Sequence, residues 1–426
     1  MTSAPTSPAP TVIPAPMSRE AAVRAAALAK ATAIAAALDD PAAAWEPTNV
    51  GTGRGWPQSL AGGAIGVALL HIARARTGHG DWRTAHRWLA AATRDALTAA
   101  DNAGLYIGAP ALAFATHTAA EATGRYGAAL AHLDDTTITI TRRRLTAAHA
   151  RIDRGERPEL KEFDLIRGLT GLGAYHLQRH PDHPVTGEVL AYLARLTQPL
   201  PAYPDLPAWW TDAAPSGDPH PDFPHGHANL GVAHGIGAVL ALISLALLQG
   251  HPAPGLAEAI ERICAWTDQW RHDTDGTWWP GVITPDPSSP PPRPQPSWCY
   301  GIAGTGRAQQ LAGLALSDTT RRAHAENAML AALRDPAHLD MHGTQIGLCH
   351  GTAGLLQSAL RMATDAATPA LATELPHLTA RLLAQLDGPI SDPELLDGAA
   401  GAALTLHTAG TDTIPGPAWD RFLLLA

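Results

Sequence analysis

Seven segments of the chain share one pattern, in which a small turn containing glycine is followed by a run that is apolar on most faces. Their first glycines lie 45, 60, 67, 66, 50 and 47 residues apart, so each interval has room for two helices and their loops. Five of the seven contain G-x-x-G, which is typical of a helix start where backbones approach closely. A helix that is apolar on most faces is usually buried, and these runs therefore predict seven inner helices. The segments are "GAIGVALLHIA" from Gly63, "GAPALAFATHT" from Gly108, "GLTGLGAYHLQ" from Gly168, "GIGAVLALISL" from Gly235, "GIAGTGRAQQL" from Gly301, "GTAGLLQSALR" from Gly351 and "GAAGAALTLHT" from Gly398.

The stretches between these segments are amphipathic. In "LAEAIERICAWTDQW", Leu256, Ile260, Ile263 and Trp270 recur at helical spacing, and polar residues such as Glu258 fill the opposite face. Such stretches predict outer helices that cover the inner ones. The first and seventh repeats are as apolar as the middle ones, whereas an open solenoid needs polar caps at its ends. The pattern therefore predicts an all-α fold with a closed ring of seven inner helices inside seven outer ones. The alternative is a generic Ala/Gly-rich helical protein whose G-x-x-G matches reflect composition.

Composition and charge exclude several classes of protein. The net charge of −9 is spread without a Lys/Arg stripe, so no nucleic-acid partner is expected. The longest apolar run, residues 236–248, has 13 residues and is too short to span a bilayer. Three cysteines cannot build a disulfide framework, and the N-terminus lacks the pattern of a secretory signal, so a cytoplasmic location is expected. Residues 1–18, rich in Pro, Ala and Ser, are predicted to be disordered, and residues 19–426 to form one domain of seven repeats.

Two of the three cysteines occupy matching places in adjacent repeats. Cys299 in "SWCYGIAG" and Cys349 in "GLCHGTAG" each lie two residues before the glycine of a G-x-A-G turn, and His350 follows Cys349 directly. In a ring, these turns lie side by side at one end. Two thiolates and an imidazole suit Zn²⁺, and three protein ligands leave a fourth tetrahedral position open, as in catalytic sites. The alternative is that buried cysteines and a core histidine only fill space, which is the role expected of Cys264.

Three more residues stand close to the repeat turns. His234 directly precedes the glycine of the fourth repeat, the place that Tyr300 and His350 occupy in the fifth and sixth. Asp164 stands four residues before the glycine of the third repeat. Each has a plain structural alternative, namely a core histidine, an ordinary packed tyrosine and a helix cap.

The segment that leads to Cys299, residues 285–297, contains seven prolines and one cation, Arg293. It cannot be helical, and we expect a stiff loop. The alternative role of Arg293 is simple solubility.

Taken together, these motifs resemble the lanthionine synthetase C-like family, the lanthipeptide cyclases. The resemblance rests on "DLIRGLTG", "NLGVAHGI", "SWCYG" and "GLCHGTAG" in this order within a seven-fold repeat, and it covers residues 20–426. It implies an α/α toroid with the active site at one end of the inner barrel. It also implies one Zn²⁺ per chain, bound by Cys299, Cys349 and His350. The short chain resembles the stand-alone cyclases.

The same resemblance assigns roles to the remaining residues. It implies that His234 is the general acid/base, Asp164 its partner acid and Tyr300 the aromatic residue beside the metal-bound cysteine. One position departs from the family pattern, which has an arginine four residues before the first cysteine of the motif. This chain has Gln295 there, and the nearest arginine, Arg293, lies two residues further back. Arg293 is therefore the predicted stabiliser of negative charge in the reaction.

The implied reaction adds a peptide cysteine to dehydroalanine or dehydrobutyrine and forms a lanthionine or methyllanthionine thioether. A free thiol has a pKa of about 8.5 and is mostly protonated at neutral pH, whereas metal coordination deprotonates it. The expected partners are a dehydrated lanthipeptide precursor and a separate dehydratase. Two alternatives stay open: an enzyme that adds a small thiol such as glutathione to dehydrated residues, and a non-catalytic peptide-binding ring with structural zinc.

Overall fold

A computed structural model of the chain describes residues 18–44, 57–274, 276–285, 291–388, 392–411 and 419–426. The predicted disordered segment, residues 1–18, lies outside these ranges except for Ser18, whose hydroxyl caps the first helix by accepting from Ala21 N at 3.2 Å. Residues 286–290 of the proline-rich segment also lie outside them, and residues 291–297 are not helical, as predicted. The assignment of one domain to residues 19–426 stays a prediction.

Nearly all of the regular secondary structure in the described residues is helical. Seven helices form an outer layer, and these are α1 (Arg19–Ala37), α4 (Trp82–Ala91), α6 (Gly127–Asp153), α9 (Pro184–Leu196), α11 (Leu256–Asp268), α13 (Thr319–Arg334) and α16 (Ala370–Gln385). Seven form an inner layer, and these are α3 (Ala64–Arg76), α5 (Ala109–Thr123), α8 (Leu169–Arg179), α10 (Ile236–Leu248), α12 (Ile302–Ala315), α15 (Thr352–Thr364) and α17 (Ala399–Thr411). Short elements complete the chain: α2 (Pro41–Ala44), α7 (Leu160–Phe163), α14 (Pro336–Asp340), a 3₁₀ helix (Trp419–Leu423) and an antiparallel pair, β1 (Ala228–Asn229) with β2 (Val282–Ile283).

Each inner helix begins one residue after a predicted glycine, so all seven predicted starts are confirmed. At the starts of two of these helices, close contact with the preceding turn explains why the last residue of G-x-x-G is glycine. A Cβ on Gly304 would lie 2.0 Å from the carbonyl oxygen of Trp298, and one on Gly354 would lie 1.9 Å from that of Leu348. Real Cβ atoms do not approach so closely. Glycine at this position therefore lets these two helices start in direct contact with the turn that leads into them.

The two layers bury different kinds of surface, as the hydrophobic pattern predicts. In α10, every residue from Ile236 to Ala246 is buried. In α11, only one stripe, including Leu256, Ile260 and Ile263, is buried, and Glu258 is exposed. Cys264 belongs to this buried stripe, which agrees with its predicted core role. None of the helices in the described residues combines the length and apolar character that a membrane crossing requires.

The ring is closed between its first and last repeats. Helix α17 packs against α3 as an inner neighbour, and the outer helix α1 packs against α17. The backbone N–H groups of Leu395 and Leu396, just before α17, donate to the carbonyl oxygen of Ala61, just before α3, at 3.0 and 2.9 Å. The fold is therefore the all-α toroid, a double ring of seven inner and seven outer helices.

The C-terminal residues form a hydrogen bond with Trp298, which directly precedes Cys299. Phe422, Leu423 and their neighbours are buried, and the indole nitrogen of Trp298 donates to the carbonyl oxygen of Leu423 at 2.9 Å. On the other side of the segment, the hydroxyl of Tyr106 donates to the carbonyl oxygen of Phe422 at 2.8 Å. These bonds fix the start of the turn that carries Cys299.

Candidate functional site

A backbone ladder joins the turns in front of successive inner helices. The N–H of Ala233 donates to the carbonyl oxygen of Cys299 at 3.3 Å, Cys299 N–H donates to Cys349 O at 3.1 Å, and Cys349 N–H donates to Leu396 O at 2.9 Å. All four residues stand two positions before the glycine of their repeat. Because the ladder pairs equivalent positions, the two cysteines that are 50 residues apart in sequence become neighbours.

These neighbours form a candidate metal centre with the predicted histidine. The ligand atoms of Cys299, Cys349 and His350 all lie within 4.8 Å of one another. Cys299 is buried, whereas Cys349 and His350 are partly exposed. Two sulphurs and an imidazole nitrogen are a donor set that zinc accepts, and a set of three leaves one tetrahedral position open. The structure thus brings together the three residues that the sequence pattern singled out.

The two thiols of this centre differ in acidity. A hydrogen bond from Cys349 lowers the pKa of Cys299 to about 5, although burial opposes the shift. The same bond, together with burial, raises the pKa of Cys349 well above its ordinary value. In the absence of a cation the pair therefore holds one thiolate far more readily than two. A divalent cation supplies the charge that allows both sulphurs to be ionised together.

The predicted acid–base pair forms a direct hydrogen bond. His234 Nδ1 lies 2.7 Å from Asp164 Oδ2, and the second carboxylate oxygen, Oδ1, accepts the backbone N–H of Arg167 at 2.6 Å. Asp164 is fully buried, and the side chain of His234 is 27 % exposed. An ionised carboxylate only accepts, so Nδ1 carries the hydrogen and Nε2 is the nitrogen left for other partners.

Tyr300 follows Cys299 and packs against the loop that carries His234. A Cβ on Gly231 would lie 2.5 Å from the carbonyl oxygen of Cys299 and 2.6 Å from the Tyr300 ring, so this close approach requires glycine. Burial raises the pKa of Tyr300, and a hydrogen bond with Asn229 opposes the shift. Tyr300 is therefore a neutral phenol at neutral pH.

Arg293 and Gln295 leave the proline-rich loop in different directions. An Arg293 terminal nitrogen pairs with Asp335 Oδ2 at 3.0 Å, and Asp335 is the residue that caps α14. Gln295 Nε2 donates to the carbonyl oxygen of His350 at 2.7 Å. Gln295, which stands where the family pattern has an arginine, thus contacts the backbone of His350, a predicted metal ligand. The role of Arg293 at the site stays a prediction.

Two residues beside the site were not predicted from the sequence. Arg167 and Asp397 directly precede the glycines of the third and seventh repeats, the place that His234 and His350 occupy in theirs. Arg167 Nε lies 3.9 Å from Asp164 Oδ2, and Asp397 Oδ1 lies 3.6 Å from His350 Nδ1. Aligning all seven repeats at this position, and not only those with a cysteine or histidine motif, would have found both.

Two grooves in the surface each include one of these two residues in their lining. One has a volume of about 670 Å³, and its lining includes Asp397 and Gln345 together with Lys30 of α1. The other has a volume of about 730 Å³, and its lining includes Arg167 and Arg144. The first groove therefore reaches Asp397, which lies beside His350 of the candidate metal centre. The second reaches Arg167, which contacts Asp164 of the predicted acid–base pair.

Comparison with known proteins agrees with the geometry. A family model described as "Lanthionine synthetase C-like protein" matches residues 55–424. A solved structure titled "Nisin cyclase" matches with a TM-score of 0.70 at 18 % sequence identity, over 87 % of this chain and 92 % of that chain, which is a likeness of fold. The comparison with curated protein sequences gave no match. Since the family model spans most of the chain, this protein belongs to the lanthionine synthetase C-like family.

Proposed function

We propose that this protein is a zinc-dependent lanthipeptide cyclase that adds cysteine thiols of a dehydrated precursor peptide to its dehydroalanine and dehydrobutyrine residues. The products are lanthionine and methyllanthionine thioethers. One observation carries the proposal: a Cys299, Cys349 and His350 donor set lies on the same laddered turns as His234, whose imidazole is held by a buried carboxylate. Family membership supports the same class of reaction.

Zinc fits the donor set of this chain. Thiolate and imidazole are the ligands that zinc takes from proteins, and a three-ligand site keeps a position for a substrate group. When bound, Zn²⁺ would supply the positive charge that lowers the pKa of a substrate thiol and generates a nucleophile at neutral pH. The described residues contain one such cluster, so we propose one zinc per chain.

His234 is the proposed proton carrier of the reaction. In the addition, the thiol loses its proton and the sulphur forms a bond to the β-carbon. The carbon–carbon double bond becomes a single bond, and the α-carbon takes up a proton. Since Nδ1 of His234 is held by Asp164, Nε2 is the nitrogen that delivers the α-proton. The buried Asp164 carboxylate stabilises the protonated imidazole before this transfer. Tyr300 is proposed to pack beside the metal-binding Cys299.

The charge that develops on the substrate carbonyl needs a cationic donor. Two arginines are candidates, and the structure places them differently. The guanidinium of Arg293, predicted from the sequence, is paired with Asp335 at 3.0 Å. The guanidinium of Arg167 has no hydrogen bond to any described residue and lies 3.9 Å from Asp164, the carboxylate that holds His234. We propose Arg167 as the donor, because its guanidinium lies beside this carboxylate, and retain Arg293 as the alternative.

A peptide substrate agrees with the surface around the site. The two grooves, one reaching Asp397 and one reaching Arg167, give room for chain segments of a peptide next to the reacting residues. Dehydrated residues arise by removal of water from serine and threonine, and we propose that a separate dehydratase supplies them. A cytoplasmic location, expected from the cysteine count, is part of the same proposal.

Incubation with a dehydrated precursor that contains a free cysteine tests this function. Cyclisation leaves the mass of the peptide unchanged and removes thiols that iodoacetamide would alkylate, so mass spectrometry after alkylation separates substrate from product. A no-enzyme control and Cys349→Ala measure spontaneous ring closure. Equal rates with and without the enzyme would contradict the proposal. A parallel reaction with glutathione and a cysteine-free peptide tests small-thiol addition, which would add the mass of glutathione.

A further inference from the structure

The backbone of His350 is fixed from two sides. Its carbonyl oxygen accepts from Gln295 Nε2 at 2.7 Å and from His342 Nδ1 at 2.9 Å. Gln295 comes from the proline-rich loop, and His342 is buried just after α14. Two donors on one carbonyl hold the main chain in place, so the remaining freedom of this ligand is rotation of its side chain.

The turn of the seventh repeat is locked against the turn that carries His350. Leu348 and Cys349 both donate their N–H groups to the carbonyl oxygen of Leu396, at 2.7 and 2.9 Å. A Cβ on Gly347 would lie 2.6 Å from the Cα of Asp397, so the two backbones are in direct contact there. Asp397 is therefore held at a fixed place beside the metal centre.

The side chain of Asp397 faces the imidazole. Asp397 Oδ1 lies 3.6 Å from His350 Nδ1, the carboxylate is 31 % exposed, and the imidazole is 38 % exposed. This distance is longer than a hydrogen bond and within the range of a carboxylate–imidazole ion pair. A histidine that binds a metal through one nitrogen commonly presents the other N–H to a carboxylate, which fixes its tautomer and ring orientation.

We propose that Asp397 is a positioning residue that orients the imidazole of His350 for metal binding. The inference rests on the metal site of the proposed function and goes beyond it by naming the group that holds a ligand. With Nδ1–H directed at the carboxylate, Nε2 is the nitrogen whose lone pair is available to a metal. The arrangement parallels the acid–base pair, in which Asp164 holds Nδ1 of His234. In both cases a carboxylate contributed by a neighbouring repeat fixes an imidazole that directly precedes an inner-helix glycine.

Zinc affinity of the full-length protein tests this role without recourse to activity. We expect Asp397→Asn to weaken zinc binding by about 10- to 100-fold, the usual effect of losing such a partner, in competition with a chromogenic chelator. Asp387→Asn is the matched control, because Asp387 is 81 % exposed and pairs only loosely, at 3.8 Å, with Lys30. This control should change zinc affinity less than twofold. Equal affinity of Asp397→Asn and wild type would overturn the inference.

Further variants separate action through the imidazole from a loss of stability. If Asp397→Asn lowers the melting temperature of the zinc-free protein, Asp397→Glu and Asp397→Gln replace it, and the charged variant must bind zinc more tightly than the neutral one. In a His350→Ala background, Asp397→Asn should have no further effect, and an additional loss there would refute action through the imidazole. A wild-type protein without zinc affinity would instead contradict the metal site itself, so the two failures are distinguishable.

Discussion

Replacing Asp164 by asparagine tests the acid–base pair most directly. The substitution keeps the shape of the side chain and removes its charge at a fully buried position. An Asn oxygen can still accept the Arg167 N–H that Asp164 accepts at 2.6 Å. The Asn NH₂ then faces His234 Nδ1, where the carboxylate accepts a hydrogen bond at 2.7 Å. The fold and the metal centre should therefore survive, and the stabilisation of a protonated His234 should not.

The size of the effect follows from the lost interaction. A hydrogen bond to a charged group contributes about 1.5–3 kcal/mol. Since about 1.36 kcal/mol corresponds to a tenfold change in rate, Asp164→Asn should slow turnover by about 10- to 150-fold. Removal of the general acid itself, as in His234→Asn, should cost about 10²- to 10⁴-fold. The double variant should be no slower than His234→Asn, because Asp164 acts through the imidazole.

Loss of alkylatable thiol from a dehydrated precursor, followed over time by mass spectrometry, gives these rates. Zinc content measured on the same preparations separates catalysis from metal binding. Two results would refute the reasoning. One is a double variant whose rate loss equals the product of the two single losses, which would mean that Asp164 and His234 act independently. The other is loss of zinc in His234→Asn, which would make His234 a ligand.

Three further predictions follow from other parts of the structure. Arg167→Gln should lower turnover more than Arg293→Ala in the same time course, with zinc content unchanged in both, because Arg167 lies 3.9 Å from Asp164, the carboxylate that holds His234, whereas Arg293 pairs with Asp335. Burial lowers the pKa of His71 to about 4 and of His176 to about 3 from 6.5. The unfolded chain therefore takes up protons below pH 6.5 that the folded chain does not, and urea unfolding of zinc-free protein should show stability falling from pH 7 to 5, by about 2 kcal/mol per histidine at most. Burial raises the pKa of Cys264 to about 12, so maleimide at pH 7 should leave this thiol unmodified until the protein is denatured.

Each of these three predictions has a result that would contradict it. A larger loss of turnover in Arg293→Ala than in Arg167→Gln would return the charge-stabilising role to the proline-rich loop. A stability profile that is flat between pH 7 and 5, or a slope unchanged by His71→Gln, would mean that this histidine is not neutral in the fold. Rapid labelling of Cys264 in native protein would contradict its burial within α11.

The charged linings of the two grooves bear on how a precursor peptide would lie at the site. The grooves that reach Asp397 and Arg167 differ in lining, since one carries Lys30 with two aspartates and the other carries five arginines and one lysine with four acidic residues. A precursor that occupies both would therefore meet different charge on the two sides of its reacting residues. Charge-reversal variants along each groove, scored on the position of the rings formed, would show which side receives which segment.

The local elements of this structure can be predicted from residues that are close together in the chain. Each inner helix starts directly after a glycine because an apolar run needs a start where the backbone can approach the preceding turn, and both features are encoded within about ten residues. The candidate metal ligands were also predictable, since Cys299 and Cys349 hold equivalent places in neighbouring repeats. Equivalent places in stacked repeats come together whatever the details of the loops.

Which side chains face each other across repeats depends on how the repeats pack in the ring. The bond between Asp164 and His234 joins residues 70 positions apart, and the contact between His350 and Asp397 depends on how two turns are paired. The path of the proline-rich loop directs Gln295 to the backbone of His350 and Arg293 to Asp335, and no periodicity in that segment indicates this. Hydrophobic periodicity predicts the buried face of a helix, because an apolar side chain favours burial whichever residues it packs against. The partner of a polar side chain depends on a backbone contributed from elsewhere in the chain, and only the closed ring brings that backbone into place.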